Sequence, residues 1–80
     1  MSFAVGVDCQ PGQGGDPVPH VLHFGPTRVT VKALVDRWDG QDHRYFKLLG
    51  EDDATYIVRN DLPTGLWELA FYDSGPGPAR

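Results

Sequence analysis

Three histidines and one cysteine are the side chains of this 80-residue chain best suited to bind a transition metal. His20 and His23 stand three residues apart, with Cys9 upstream and His43 further along. Side chains three positions apart in a β-strand point to opposite faces, whereas zinc needs convergent ligands. We therefore predict no metal site and interpret the histidines as ordinary strand and loop residues. A single cysteine also excludes an internal disulfide.

Two acidic groups could offer oxygen ligands to calcium. They are Glu51–Asp53 and the spaced set Asp36, Asp39 and Asp42. Neither has the alternating acidic loop, central glycine and distant glutamate of a calcium-binding loop, and acidic turn residues are common without metal. We interpret both groups as solvated turns.

Catalytic motifs are also missing from the sequence. Gly12-Gln-Gly-Gly15 has neither the preceding strand nor the following helix of a phosphate loop, and both serines lie near the chain ends. His43 and Asp36 could face each other across a hairpin, but such an exposed pair is usually a simple cross-strand contact. We predict a protein that is not an enzyme, with no catalytic residue and no cofactor.

A long β-hairpin over Arg28–Leu49 is the element that positions Asp36, Asp39, Asp42 and His43. Its first strand alternates apolar and polar residues, and Asp39-Gly40 is a pair preferred in tight hairpin turns. A two-residue loop would pair Val31 with Leu48 and Ala33 with Phe46. A four-residue loop would pair Val35 with Phe46 and Ala33 with Leu48. Both registers place the same residues on the same face.

Glycine and proline divide the chain into three parts. Residues 1–19 hold four Gly and three Pro, residues 74–80 two of each, and residues 20–73 only six in total. We predict a flexible N-terminal arm over 1–19, a folded domain over 20–73 and a disordered tail over 74–80. Phe3–Val7 is apolar enough to add an edge strand, but the Gly/Pro-rich segment after it argues against one.

The folded part is predicted to be all-β, because no stretch has a helical period. Besides the hairpin, strands are expected at His20–Phe24, Ala54–Arg59 and Leu66–Tyr72. We expect a five-stranded antiparallel meander that closes into a small SH3-like barrel. The alternation predicts a core of Leu22, Phe24, Val29, Val31, Val35, Phe46, Leu48, Tyr56, Val58, Trp67, Leu69 and Phe71.

The opposite face carries an unexpected set of apolar and basic residues. Alternation along the predicted strands places three basic residues and five apolar residues on this face. They are Lys32, Lys47 and Arg59, with Leu34, Trp38, Tyr45, Leu49 and Ile57. A β-bulge near Lys32–Leu34 would turn Leu34 inward and remove part of this set, and whether a bulge there buries Leu34 or Trp38 stays open.

Four segments of the predicted strands form a recurring pattern. They are Asp36-Arg-Trp38, Asp42-His-Arg-Tyr-Phe-Lys47, Tyr56-Ile-Val-Arg59-Asn-Asp61 and Trp67-Glu-Leu69. Together they resemble a group of small uncharacterised bacterial domains with an RW…HRYFKV…YILRHD…WEL strand pattern. The resemblance covers about residues 22–73. It implies no activity, although some similar domains are encoded beside genes for DNA-damage-response polymerases.

Two binding functions fit the outer aromatic residues. In the first, a protein partner or a second copy docks on a site made of Trp38, Tyr45, Lys47, Ile57 and Arg59. In the second, single-stranded nucleic acid stacks on the rings while Lys32, Arg44, Lys47 and Arg59 meet phosphates. The net charge of −4 disfavours the second. No segment is typical of a membrane span or a signal peptide, so we expect a cytoplasmic protein.

Overall fold

The computed structural model describes residues 3–74. They form antiparallel strands and no α-helix; a short 3-10 turn at Gln13–Gly15 interrupts them. No helix among these residues is long and apolar enough to cross a membrane. The strands are β1 (Phe3–Ala4), β2 (Gly6–Pro11), β3 (Pro17–Phe24), β4 (Thr27–Asp39), β5 (His43–Gly50), β6 (Thr55–Asp61) and β7 (Trp67–Asp73).

From β2 to β7, each strand pairs with the next in the chain, so the predicted all-β antiparallel meander is confirmed. Short turns make this order possible. Gly25-Pro26 joins β3 to β4 as a two-residue turn, and Gly25 has a φ of 58°, which glycine adopts without strain. Asp53 has a φ of 65° in the turn between β5 and β6. Aspartate is among the few residues that tolerate this conformation.

The N-terminal segment contacts both edges of the sheet. β2 pairs with β3 over Gly6–Pro11, β1 pairs with β7, and the Val5 N–H donates to the Trp67 carbonyl at 3.1 Å. Since only Val5 separates β1 from β2, they form one interrupted strand, and the sheet has six strands by that count. The prediction of five strands was wrong on this point.

The predicted domain start at residue 20 falls within β3 and stays a prediction. Residues 75–80 of the predicted tail lie outside the described residues.

The long hairpin forms, but none of the four residue pairs predicted from the sequence occurs; only its base, at Val31 and Gly50, keeps the register of the four-residue loop. Trp38 lies opposite Tyr45, whereas Val31 lies opposite Gly50. Two register shifts in β4, one between Val31 and Ala33 and one between Leu34 and Asp36, separate these pairs. The first shift is the bulge considered near Lys32–Leu34, and it places Leu34 opposite the buried Leu48. Trp38 stays on the other face. Leu34 is 39% exposed and Trp38 40% exposed, so the bulge buries neither of them.

Another bulge lies in β7. Leu69 pairs with Val58 and Phe71 pairs with Ile57, so Ala70 is the extra residue. Because one inserted residue reverses the faces of those that follow, Phe71 lies on the face opposite to Leu69.

Most of the predicted core is confirmed. Phe24, Val31 and Trp67 are half-buried against it, and Val5 and Ala54 join it without having been predicted. The prediction that Val35 and Phe71 lie in the core was wrong. They are 54% and 49% exposed, because each lies at or just beyond a bulge. The predicted residues that are buried are Leu22, Val29, Phe46, Leu48, Tyr56, Val58 and Leu69.

Candidate functional site

Strands β4 to β7 bring the predicted site residues onto one surface, which we call the outer face. Residues directly opposite each other in an antiparallel sheet point to the same side. One cross-strand row consists of Trp38, Tyr45, Arg59 and Glu68. The next row consists of Asp36, Lys47, Ile57 and Phe71. These eight residues define the outer face.

Two stacked rings form one end of the outer face. The centroids of Trp38 and Tyr45 are 5.4 Å apart, and their planes differ by 4°. This geometry is an offset parallel stack, which is favourable for aromatic pairs. Trp38 is nevertheless 40% exposed, so part of its ring faces solvent. The pair is therefore a rigid apolar surface with area still available for contact.

Arg59 continues the same row. Its Nε donates to Glu68 Oε1 at 2.8 Å, and both side chains are about one-third exposed or less. Hydrogen bonding to Tyr45, followed by hydrogen bonding to Glu68, raises the pKa of Arg59 above its ordinary value. The guanidinium stays cationic and links the aromatic stack to the carboxylate of β7.

The second row is half apolar and half charged. Ile57 lies between Lys47 and Phe71, and the Phe71 ring is half exposed. Asp36 lies opposite Lys47. The outer face thus holds two positive and two negative side chains, and its formal charge is zero even though the chain carries −4.

All five predicted site residues lie on the outer face. Sequence reasoning missed Phe71, which regular alternation had assigned to the core, and it did not include Asp36 or Glu68. The alternation of the first hairpin strand already indicated Asp36, because Asp36 and Trp38 are two positions apart and so lie on the same face. Nothing in the local pattern Trp67–Tyr72 indicated the bulge that exposes Phe71.

The other basic side chains proposed for nucleic-acid binding also have acidic neighbours. Lys32 Nζ lies 3.3 Å from Asp53 Oδ1, and Arg44 Nε donates to Asp39 Oδ1 at 3.1 Å. Arg59 contacts Glu68 as described above. These contacts reduce the positive potential that a phosphate backbone would meet.

Two of the three histidines pair with carboxylates. His23 Nε2 lies 2.8 Å from Asp8 Oδ2, and His43 Nε2 lies 3.5 Å from Asp61 Oδ1. Within the described range 3–74, no three His, Cys, Asp or Glu side chains form a group that could hold a metal ion.

Comparisons with protein-family models, with curated proteins and with solved structures gave no match.

Proposed function

We propose that this chain is a non-catalytic interaction module whose outer face binds protein, either a partner or a second copy of itself. The observation that carries the proposal is the exposed Trp38–Tyr45 stack. Trp and Tyr are the residues that most often dominate binding energy at protein interfaces. A stacked pair loses little conformational freedom on binding, because its rings are already ordered.

The charge of the outer face supports the same proposal. Arg59 and Glu68 form an ion pair beside the aromatic stack, and Lys47 lies opposite Asp36. The outer face thus combines apolar side chains with balanced charges, and a non-obligate protein interface is likewise only about as apolar as the rest of a protein surface. A nucleic-acid surface would instead need an excess of positive charge.

Binding of single-stranded nucleic acid is the second candidate. One observation favours it: the aromatic stack lies on the same face as Lys47, for which the described residues provide no salt bridge within 4.0 Å. Bases could stack on Trp38 while Lys47 meets a phosphate. The two candidates predict different responses to salt.

We further propose that the sheet closes into a small SH3-like barrel. Support comes from the N-terminal segment, since Phe3–Ala4 pairs with β7 while Gly6–Pro11 pairs with β3. A closed sheet leaves no free edge strand, which disfavours edge-to-edge association and leaves the outer face as the surface for contact.

The test compares the wild-type chain with a Trp38→Ala/Tyr45→Ala variant. Each is immobilised and exposed to extract of the source cells, and each is also examined by sedimentation velocity over a concentration series. We expect wild-type protein to retain a partner or to self-associate, and the variant to lose that binding. Leu62→Ala/Leu66→Ala is the matched control, because both leucines are exposed and lie in the loop before β7.

Salt and stability complete the test. Protein docking through apolar area should change little between low and moderate salt, whereas binding of a short oligonucleotide should weaken steeply. The double variant should unfold within about 1 kcal/mol of wild type, as surface changes usually do. A wild-type chain that neither self-associates nor retains any protein dependent on Trp38 and Tyr45 would reject the proposed function.

A further inference from the structure

A cavity on the inner side of the sheet has an aromatic lining and one carboxylate. Its volume is about 410 Å³, and it opens where β3, β4, β6 and β7 come together. The side chains that give it its chemistry are Phe24, Val29, Asp52, Tyr56, Leu69 and Tyr72.

Three rings form an aromatic wall around this cavity. The Tyr56 ring is in contact with both others: its centroid lies 5.6 Å from that of Phe24 and 5.2 Å from that of Tyr72. Tyr56 is buried, whereas Tyr72 is half exposed and stands at the opening. The bulge at Ala70 creates this arrangement, because it places Tyr72 opposite Tyr56 and turns Phe71 to the outer face.

Asp52 gives the cavity its charge. Its Oδ2 accepts a hydrogen bond from the Tyr56 hydroxyl at 2.5 Å, and its Oδ1 accepts one from the Ala54 N–H at 3.1 Å. These bonds fix the carboxylate beside the rings. Among the described residues, no lysine or arginine lines the cavity, so its charge is not neutralised within the lining.

We propose that this cavity binds a quaternary ammonium group. Aromatic faces attract cations through the ring quadrupole, and they also accept the apolar methyl groups around a quaternary nitrogen. Each Asp52 oxygen already accepts one hydrogen bond, so the carboxylate chiefly offers charge, which suits a cation without N–H donors. The proposal is independent of the outer face, which lies on the other side of the sheet.

The probe is choline, and its neutral isostere 3,3-dimethylbutan-1-ol is the matched ligand control. Both are titrated into ¹⁵N-labelled full-length protein, and the amide signals of Asp52, Tyr56 and Tyr72 are followed by NMR. The two ligands have the same shape, so a difference in affinity measures the contribution of the positive charge. We expect choline to bind at least about fivefold more tightly, the effect of a cation–π contact worth about 1 kcal/mol.

Substitutions on β7 locate the site. Tyr72→Leu removes a cavity ring while keeping an apolar side chain, and it should weaken choline binding about fivefold. Phe71→Leu is the control, because Phe71 is similarly exposed but lies on the opposite face. Asp52→Asn should also weaken choline binding, although an asparagine oxygen can still accept the hydrogen bond from the Tyr56 hydroxyl.

A quaternary ammonium group can belong to a free small molecule or to a trimethylated lysine of a protein. Titration with Nα-acetyl-Nε-trimethyllysine N-methylamide separates these sources. Tighter binding than choline indicates a peptide side chain, and equal or weaker binding indicates a free ammonium compound. Equal affinity for choline and its neutral isostere, or choline binding unaffected by both Tyr72→Leu and Asp52→Asn, would overturn the proposal.

Discussion

Gly40 lies against the edge of the Tyr45 ring. A Cβ atom at residue 40 would be 2.9 Å from Tyr45 Cε1, closer than real Cβ contacts allow. The face of the Tyr45 ring is stacked on Trp38. The glycine of the hairpin turn therefore leaves room for the aromatic pair of the outer face.

Gly40→Ala should move the Tyr45 ring away from Trp38. Gly40 is not among the glycines with positive φ, so alanine tests the ring contact and not backbone strain. Overpacking of this kind costs about 1–3 kcal/mol, and the change should appear as reduced ring-current shifts of Tyr45 and Trp38 in NMR spectra. Gln41→Ala, in the same turn, should leave these shifts as they are. Unchanged shifts in Gly40→Ala would mean that the turn does not constrain the stack.

The bulge at Ala70 predicts effects of different size for two residues of β7. Leu69→Ala should lower the free energy of unfolding by about 2–5 kcal/mol, because Leu69 is buried and its loss leaves a cavity. Phe71→Ala should lower it by less than about 1 kcal/mol, since half of that ring is already in solvent. Urea unfolding of both variants measures the difference. Equal large losses would show that β7 alternates regularly and that Phe71 is in the core.

The raised pKa of Tyr56 predicts that the protein loses stability at alkaline pH. Burial, followed by the hydrogen bond to Asp52, raises the pKa of Tyr56 in the folded protein above its ordinary value of 10.0. The folded state therefore keeps a proton that the unfolded state loses above that pH. Below pH 10, Tyr56 is protonated in both states and its titration leaves the free energy of unfolding unchanged. Above pH 10, the free energy of unfolding should fall by about 1.4 kcal/mol per pH unit.

Urea unfolding between pH 9 and pH 11 tests this linkage against Tyr56→Phe. The phenylalanine variant lacks the titrating hydroxyl, so its stability should decline less steeply above pH 10. Parallel pH profiles for the two proteins would mean that Tyr56 has the same pKa in the folded and unfolded states.

Deletion of residues 1–11 should destabilise the protein. β2 pairs with β3 along its whole length, and Val5 is buried in the core. Thermal melting should detect the loss. Val5→Ala alone should lower the free energy of unfolding by about 1.6 kcal/mol, because it removes two buried carbon groups at roughly 0.8 kcal/mol each. Gln10→Ala, at an exposed position of β2, should cost nothing measurable. If the deleted chain melts like the full one, residues 1–11 add no stability, as the predicted flexible arm requires.

Local patterns in the sequence determined the class of fold and much of the core. The β5 and β6 alternation alone placed Phe46, Leu48, Tyr56 and Val58 inside and Tyr45, Lys47, Ile57 and Arg59 outside. These assignments hold because β5 and β6 pair without a register shift, so the two-residue period is kept along both strands.

Only the tertiary structure decided the rest of the candidate site. Bulges in β4 and β7 adapt those strands to the bend of the sheet, and a bulge reverses the facing of every residue beyond it. The bend depends on strands distant in sequence, so neither the exposure of Phe71 nor the position of Tyr72 could be read from Trp67–Tyr72. The burial of Val5 also depends on a strand distant in sequence, because its hydrogen-bond partner Trp67 lies near the opposite end of the chain.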